Sequence, residues 1–253
     1  MSTDQEQPLV SHLIELRNRL LKSVLLVLAL FLSMFYFAND LYLIMVEPLS
    51  NLLPNTGDMI ATGVASPFLV PFKMTMVLAI LLAIPFILYQ IWSFIAPGLY
   101  QHEKKFGIPL LISSIILFYA GIAFAYFVVL PLVFGFFTAT GPDGVSFLPD
   151  IANILNFILK IFFAFGIAFE IPIATFLMVL TGMTTVQSLS EKRPYIFLGC
   201  FVVGMLVTPP DVISQTVLAL PMYSLFEIGV LFSRMIKPRD NDEEDQGDNS
   251  IAG

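Results

Sequence analysis

Charge is what this chain has least of. Asp, Glu, Lys and Arg supply 12% of its 253 residues, where a soluble chain carries about 25%. Cysteine occurs once, at Cys200, which excludes an intrachain disulfide. Histidine occurs only at His12 and His102. There is no His-Glu-x-x-His pair, so a membrane zinc protease has no ligand set. There is no glycine-rich phosphate loop. Gly144-Val145-Ser146 has no histidine able to reach it, so serine chemistry lacks a base. These absences argue against an enzyme.

What remains is apolar. Hydrophobic residues make up 57% of the chain, and the mean hydropathy is +0.87. Stretches without Asp, Glu, Lys or Arg run 23–39, 74–102, 106–142, 171–190, 194–210 and 212–226. About 20 residues of helix cross a hydrocarbon core, and the weak ten-residue alternation of an outer-membrane barrel is not the pattern. The sequence predicts an all-α integral membrane protein with six transmembrane helices, near 23–38, 72–93, 107–131, 153–181, 195–209 and 213–232. Together they form one membrane domain over 1–237. The fifth and sixth helices are expected to be short. Only Thr208-Pro209-Pro210-Asp211 joins them, so they form a tight hairpin, through locally thinned bilayer or against other helices. Residues 9–22 read as an amphipathic helix in the interface, turning afterwards into the first span. Leu9, Leu13, Leu16 and Leu20 make one face; Ser11, Glu15, Arg19 and Lys22 line the other. The first span is read as structure and not as a cleaved signal, because five more follow.

Orientation follows from the 12 basic residues. With the N-terminus cytoplasmic, only Lys73 and Lys160 fall towards the far side, so both termini are expected inside. The net charge of −7 misleads, because acids cluster between Asp240 and Asp248. The tail over 238–253 is expected to be a disordered, solvated cytoplasmic segment. The proline-rich loops near 39–71 and 131–152 would cap the outer face. Pro85, Pro172 and Pro221 should each bend a span.

Glu170 stands in a run otherwise apolar enough to cross the bilayer. A carboxyl at that depth costs about 2.5–3.5 kcal/mol on insertion scales and marks a functional site. A proton relay or an ion site is one reading; a wet recess that meets a partner's polar group is another. Glu15 and Glu103 are carboxylates on a basic face. Local pairing, Glu15 with Arg19 and Glu103 with Lys104 or Lys105, is the simpler reading, at about 0–1 kcal/mol each. The alternative is a receptor site, since a carboxylate takes a guanidinium through two parallel hydrogen bonds. Thr208, Asp211, Ser214 and Gln215 surround the last outer turn, as an ordinary loop or as bonding groups for a partner helix. Glu227 is expected to snorkel or to pair with Arg234. A proton-coupled small-solute transporter is the rival function. It would need further ionisable groups at the depth of Glu170, and few are present.

Five blocks, in order, resemble one family. They are His12-Leu13-Ile14-Glu15-Leu16-Arg17-Asn18-Arg19-Leu20; Phe94-Ile95-Ala96-Pro97-Gly98-Leu99-Tyr100 followed by Glu103; Phe165-Gly166-Ile167-Ala168-Phe169-Glu170-Ile171-Pro172; Lys192-Arg193-Pro194-Tyr195; and Thr208-Pro209-Pro210-Asp211. Together they resemble TatC, the multispanning receptor subunit of the twin-arginine protein translocase, from about residue 8 to 237. The resemblance implies a glove-like concave bundle in the bacterial cytoplasmic (inner) membrane. It implies recognition of twin-arginine signal peptides on folded cargo, and export driven by the proton-motive force without nucleotide hydrolysis or cofactor. The implied partners are the single-span subunits TatA and TatB, other copies of the chain and membrane lipid, with no nucleic acid. By motif match, Glu15 and Glu103 would contact the arginines, supported by Arg17, Phe94 and Leu99. Pro48 and Tyr126 would shape the scaffold. Met205, Thr208 and Gln215 would dock a partner helix, Asp211 would belong to the outer turn, and Glu170 would face the concave interior.

Overall fold

A long helix, α1 (Glu6–Phe35), leads the chain. The structure is a computed structural model that describes residues 6–43, 60–95, 107–139, 150–208 and 211–235. Pro48, Leu99, Glu103 and the acidic tail lie outside the described residues. After α1 come α2 (Ser66–Ile95), α3 (Gly107–Phe124), a π-helical turn (Ala125–Val129) and α4 (Leu130–Ala139). Then follow α5 (Ile151–Ala168), α6 (Ile171–Leu180), α7 (Val186–Glu191), α8 (Arg193–Val207) and α9 (Val212–Ser233). Among the described residues the only strand-like pairing is an isolated parallel bridge between Ile60 and Asp150.

Five segments are long and apolar enough to cross a membrane: Leu13–Phe35, Ser66–Phe94, Gly107–Phe137, Ile151–Leu180 and Val212–Ser233. Each presents many large apolar side chains at its surface, as a lipid-facing helix does. Helix α8, with 15 residues, is about 22 Å long and falls short of the hydrocarbon thickness of about 30 Å. Helix α9, with 22 residues, does not, so only the first helix of the last pair is short.

The sequence boundaries need correction at two places. First, there is no turn between an interfacial helix and the first span. No Gly or Pro interrupts residues 9–35, so α1 runs through both as one helix. Second, the third span continues past 131 to Ala139. Pro131 lacks an N–H and crowds the carbonyl four residues back. The chain absorbs this in the π turn before it, where the Leu130 N–H reaches the Ala125 carbonyl. Tyr126 lies in that turn, 6.5 Å from the Phe162 ring. The fourth span, Ile151–Leu180, agrees with the sequence reading and bends at Pro172 as expected: α5 ends at Ala168 and α6 starts at Ile171 with Pro172 in its first turn. Phe169 and Glu170 stay near helical dihedrals, so the break is a kink.

The core is built from α3, the π turn, α4, α5, α8 and α9, around Phe165, Ile161, Leu130 and Leu218. Glycine lets α3 and α5 approach closely, as small residues do between membrane helices. A Cβ on Gly121 would stand 2.5 Å from the Phe165 carbonyl oxygen, and one on Gly166 2.8 Å from the Phe118 ring. Helix α1 packs along α2, with Phe31 edge-on to Phe72 at 5.0 Å. Leu189 of α7 packs with Phe226 and Val230 of α9. Gly182, after α6, has φ +71°, a left-handed turn that glycine adopts without strain.

At the other end of α2 and α5 the two loops meet. Asp150 caps α5, accepting from the Ala152 N–H at 2.9 Å and the Asn153 N–H at 3.0 Å. Its second oxygen accepts from the Thr62 N–H at 2.8 Å and from the Thr62 hydroxyl. The Ile151 N–H completes the join to the Ile60 carbonyl at 3.0 Å.

Candidate functional site

The candidate residues fall into three groups. The first lies where the start of α1 meets the end of α2. One helical turn separates Glu15 from Arg19, and they pair: Arg19 Nη2 and Nε donate to Glu15 Oε1 at 2.5 and 3.0 Å. Arg19 Nη1 also reaches Gln90 Oε1 at 3.4 Å, tying α1 to α2. The expected local pair is therefore formed. Both Arg19 contacts fall on Oε1, and the Glu15 side chain keeps 40% of its exposure. The carboxylate remains open to a second cation. Arg17 points into solvent and donates to its neighbour Asn18 at 3.2 Å. Phe94 lines an apolar groove of about 640 Å³ between α1 and α2, with Leu16, Leu20 and Arg19. A charged patch over Ile14, Glu15, Asn18, Arg19 and Lys22 adjoins it, so an apolar channel opens beside a carboxylate.

The second group surrounds the kink. Glu170 stands at the start of α6 and makes no side-chain cap. Its Oε1 is buried without a hydrogen-bond partner among the described residues. Ser114 of α3 interacts with the same carboxyl and accepts from Trp92 Nε1 of α2 at 3.1 Å. Trp92 of α2, Ser114 of α3 and Glu170 at the α5–α6 kink thus form a polar cluster inside the membrane-spanning region, with no cation among the described residues. Sequence reasoning missed Ser114 and Trp92, because nothing in their spacing ties α2 and α3 to residue 170.

The third group is the α8–α9 hairpin. Thr208 is buried and donates to the Gly204 carbonyl at 2.9 Å, while Met205 is exposed. A Cβ on Gly204 would meet the Gln215 backbone oxygen at 3.4 Å, so the helices touch there. Asp211 caps α9 by accepting from the Ser214 N–H at 2.6 Å. Asp211 Oδ2 and Ser214 Oγ are both buried without a partner among the described residues. The structure thus gathers Thr208, Asp211, Ser214 and Gln215 at one end of the hairpin, as the sequence suggested.

Glu227 pairs with Arg193 and not with Arg234. Arg193 Nε lies 2.8 Å from Glu227 Oε1, and Nη2 donates to Oε2 at 2.9 Å. The Tyr223 hydroxyl donates to Oε1 at 2.7 Å. Arg193 starts α8 directly across from Glu227, a neighbour that only the packing of α8 on α9 supplies.

Comparison with known proteins follows the same lines. The family described as "Sec-independent protein translocase protein (TatC)" matches residues 11–221. A protein of that name from Azotobacter chroococcum mcd 1 is 56% identical over 245 residues, covering 97% of this chain and 96% of its own. One from Escherichia coli (strain K12) is 53% identical over 245 residues, covering 97% and 95%. A solved structure, "Crystal Structure of Twin Arginine Translocase Receptor- TatC", superposes with a TM-score of 0.79 at 37% identity, covering 88% of this chain and 98% of that one. The resemblance of five short blocks thus extends to nearly the whole length and to the helix arrangement, and this chain belongs to the TatC family.

Proposed function

We propose that this chain is the signal-recognising core subunit of a twin-arginine translocase in the bacterial inner membrane, with both termini in the cytoplasm and six spans. In this reading α8 is the short fifth span. It recognises and positions cargo without catalysing a reaction. The observation that carries the proposal is the half-open Glu15 carboxylate beside the apolar groove that ends at Phe94. A signal peptide with consecutive arginines before an apolar stretch has the matching chemistry. One guanidinium takes Glu15, the next takes Glu103, and the apolar stretch follows the groove. Arg19 then acts as a gate: its hold on Oε1 is exchanged for the incoming arginine, and Gln90 keeps it in place. Arg17 and Leu99 flank the contact.

The α8–α9 hairpin is the docking site for the single-span subunits TatA and TatB. The exposed Met205 beside the partly exposed Gln215 supports this. The Gln215 amide offers a partner helix both a donor and an acceptor. By the family match, Pro48 and Tyr126 shape the scaffold, Tyr126 from within the π turn.

The test is crosslinking of a twin-arginine peptide to the full chain in membranes. Glu15→Gln and Glu103→Gln remove charge with little change of volume, and each should weaken crosslinking. Undiminished crosslinking in the double variant would sink the assignment. Cysteine pairs between Met205 or Gln215 and a partner helix test the docking site in the same membranes.

A further inference from the structure

A second groove, of about 450 Å³, runs between α2 and α5 at the end where both helices begin. We propose that it binds one anionic phospholipid, with an acyl chain along Leu69, Met76 and Leu155 and the phosphate on Lys73.

The walls are apolar, and Val70, Val77 and Leu155 are buried between the helices. The volume equals only about 6 Å of a helix about 10 Å across, so it suits a flexible chain better than a partner helix. Lys73 lies seven residues into α2, about 10 Å along it. Its aliphatic stem can follow the groove while the ammonium reaches the headgroup level. Lys73 Nζ spends one donor on Asn156 Oδ1 at 2.8 Å. An ammonium has three donors, so two remain, and the Asn156 amide nitrogen adds another.

Among the described residues, Lys73 is the one charged side chain that lines the groove. The nearest acid along α5, Asp150, is occupied by Ala152, Asn153 and Thr62. Helices α2 and α5 both point their N-termini, the positive ends of their dipoles, to this side. Lys160 stands one turn beyond Asn156 and is exposed. The α1–α2 groove differs here, because Glu15 already neutralises Arg19. An anion is therefore favoured between α2 and α5, and in a membrane an anion attached to an acyl chain is a phospholipid.

The experiment uses the full chain in nanodiscs of mixed phosphatidylcholine and phosphatidylglycerol. Mild detergent extraction and native mass spectrometry then count the retained lipid. The wild type should keep one phosphatidylglycerol in preference to phosphatidylcholine. Lys73→Gln should lower that retention about fivefold, the weight of one lysine near an anionic lipid surface. Lys73→Arg and Lys192→Gln should leave it unchanged. Ala152→Phe, which fills the groove with Lys73 intact, should lower retention of both lipids. Equal retention of the two lipids by wild type, full retention by Lys73→Gln, or lipid unaffected by Ala152→Phe would each overturn the proposal. Should Lys73→Gln fail to elute as folded protein, the Lys73→Arg and Ala152→Phe pair decides alone.

Discussion

Gly229 packs directly on Pro172. A Cβ at position 229 would stand 2.8 Å from Pro172 Cα, and Thr175 closes the other side. Pro172 starts α6 just after the kink, and Gly229 is a buried position of α9. The last helix therefore braces the bend that carries Glu170. Gly229→Ala meets the Thr175 hydroxyl first, which is held on the Ile171 and Pro172 carbonyls, and then the Pro172 backbone, so it should destabilise the chain by about 1–3 kcal/mol. Heating the detergent-solubilised protein with a thiol-reactive dye reads this directly, because Cys200 is the only thiol and is buried. A melting curve unmoved from wild type would show that α9 does not brace the kink.

Asp150 predicts a pH dependence. Hydrogen bonds from the Thr62 hydroxyl and N–H, and from Asn153 and Ala152, pull its carboxyl down to about 2. An unfolded Asp titrates near 3.9. The folded value lies below the unfolded one, so the stabilisation is fully present above about pH 4 and is lost as pH falls towards 2. Melting curves from pH 6 down to pH 2.5 should show wild type losing its advantage over Asp150→Asn across that window. Parallel curves throughout would contradict the clasp.

The Arg193–Glu227 pair should couple α8 to α9. Both side chains are about one-third exposed, so a double-mutant cycle with Arg193→Ala and Glu227→Ala should give a coupling of about 1 kcal/mol or less. Tyr223→Phe should lose a smaller part of it. A coupling of zero would leave α8 held by apolar packing alone.

Glu170→Ala should impair cargo export more than peptide crosslinking, because the carboxyl belongs to the α5–α6 kink and is not a member of the Glu15–Arg19–Gln90 cluster. Ser114→Ala should act in the same direction and more weakly, since it removes a neighbour and not the carboxyl itself. Inner-membrane vesicles, assayed for both readouts, separate the two steps. The reverse pattern, with crosslinking lost and export retained, would refute this role.

Much of this was legible along the chain. Lack of charge, long apolar runs and the Thr208–Asp211 turn led to a helical membrane protein with a terminal hairpin. The Glu15–Arg19 pair was legible because one helical turn separates its members. The lead-in helix was misread because amphipathic spacing marks a face, while only packing on α2 decides whether the axis bends. For Glu227 the sequence offers snorkelling or a nearby pair with Arg234, because the geometry that brings Arg193 opposite comes from a second helix.

The sequence by itself determined which segments enter the membrane and where their polar marks sit. Transfer free energy and helical spacing are local quantities, readable residue by residue. Only the tertiary structure decided which marks meet. It brought Thr62 to Asp150, Ser114 to Glu170, Lys73 to Asn156 and Gly229 to Pro172. Each of these contacts depends on how two helices or loops distant in sequence approach, and that is set by the packing of the whole bundle.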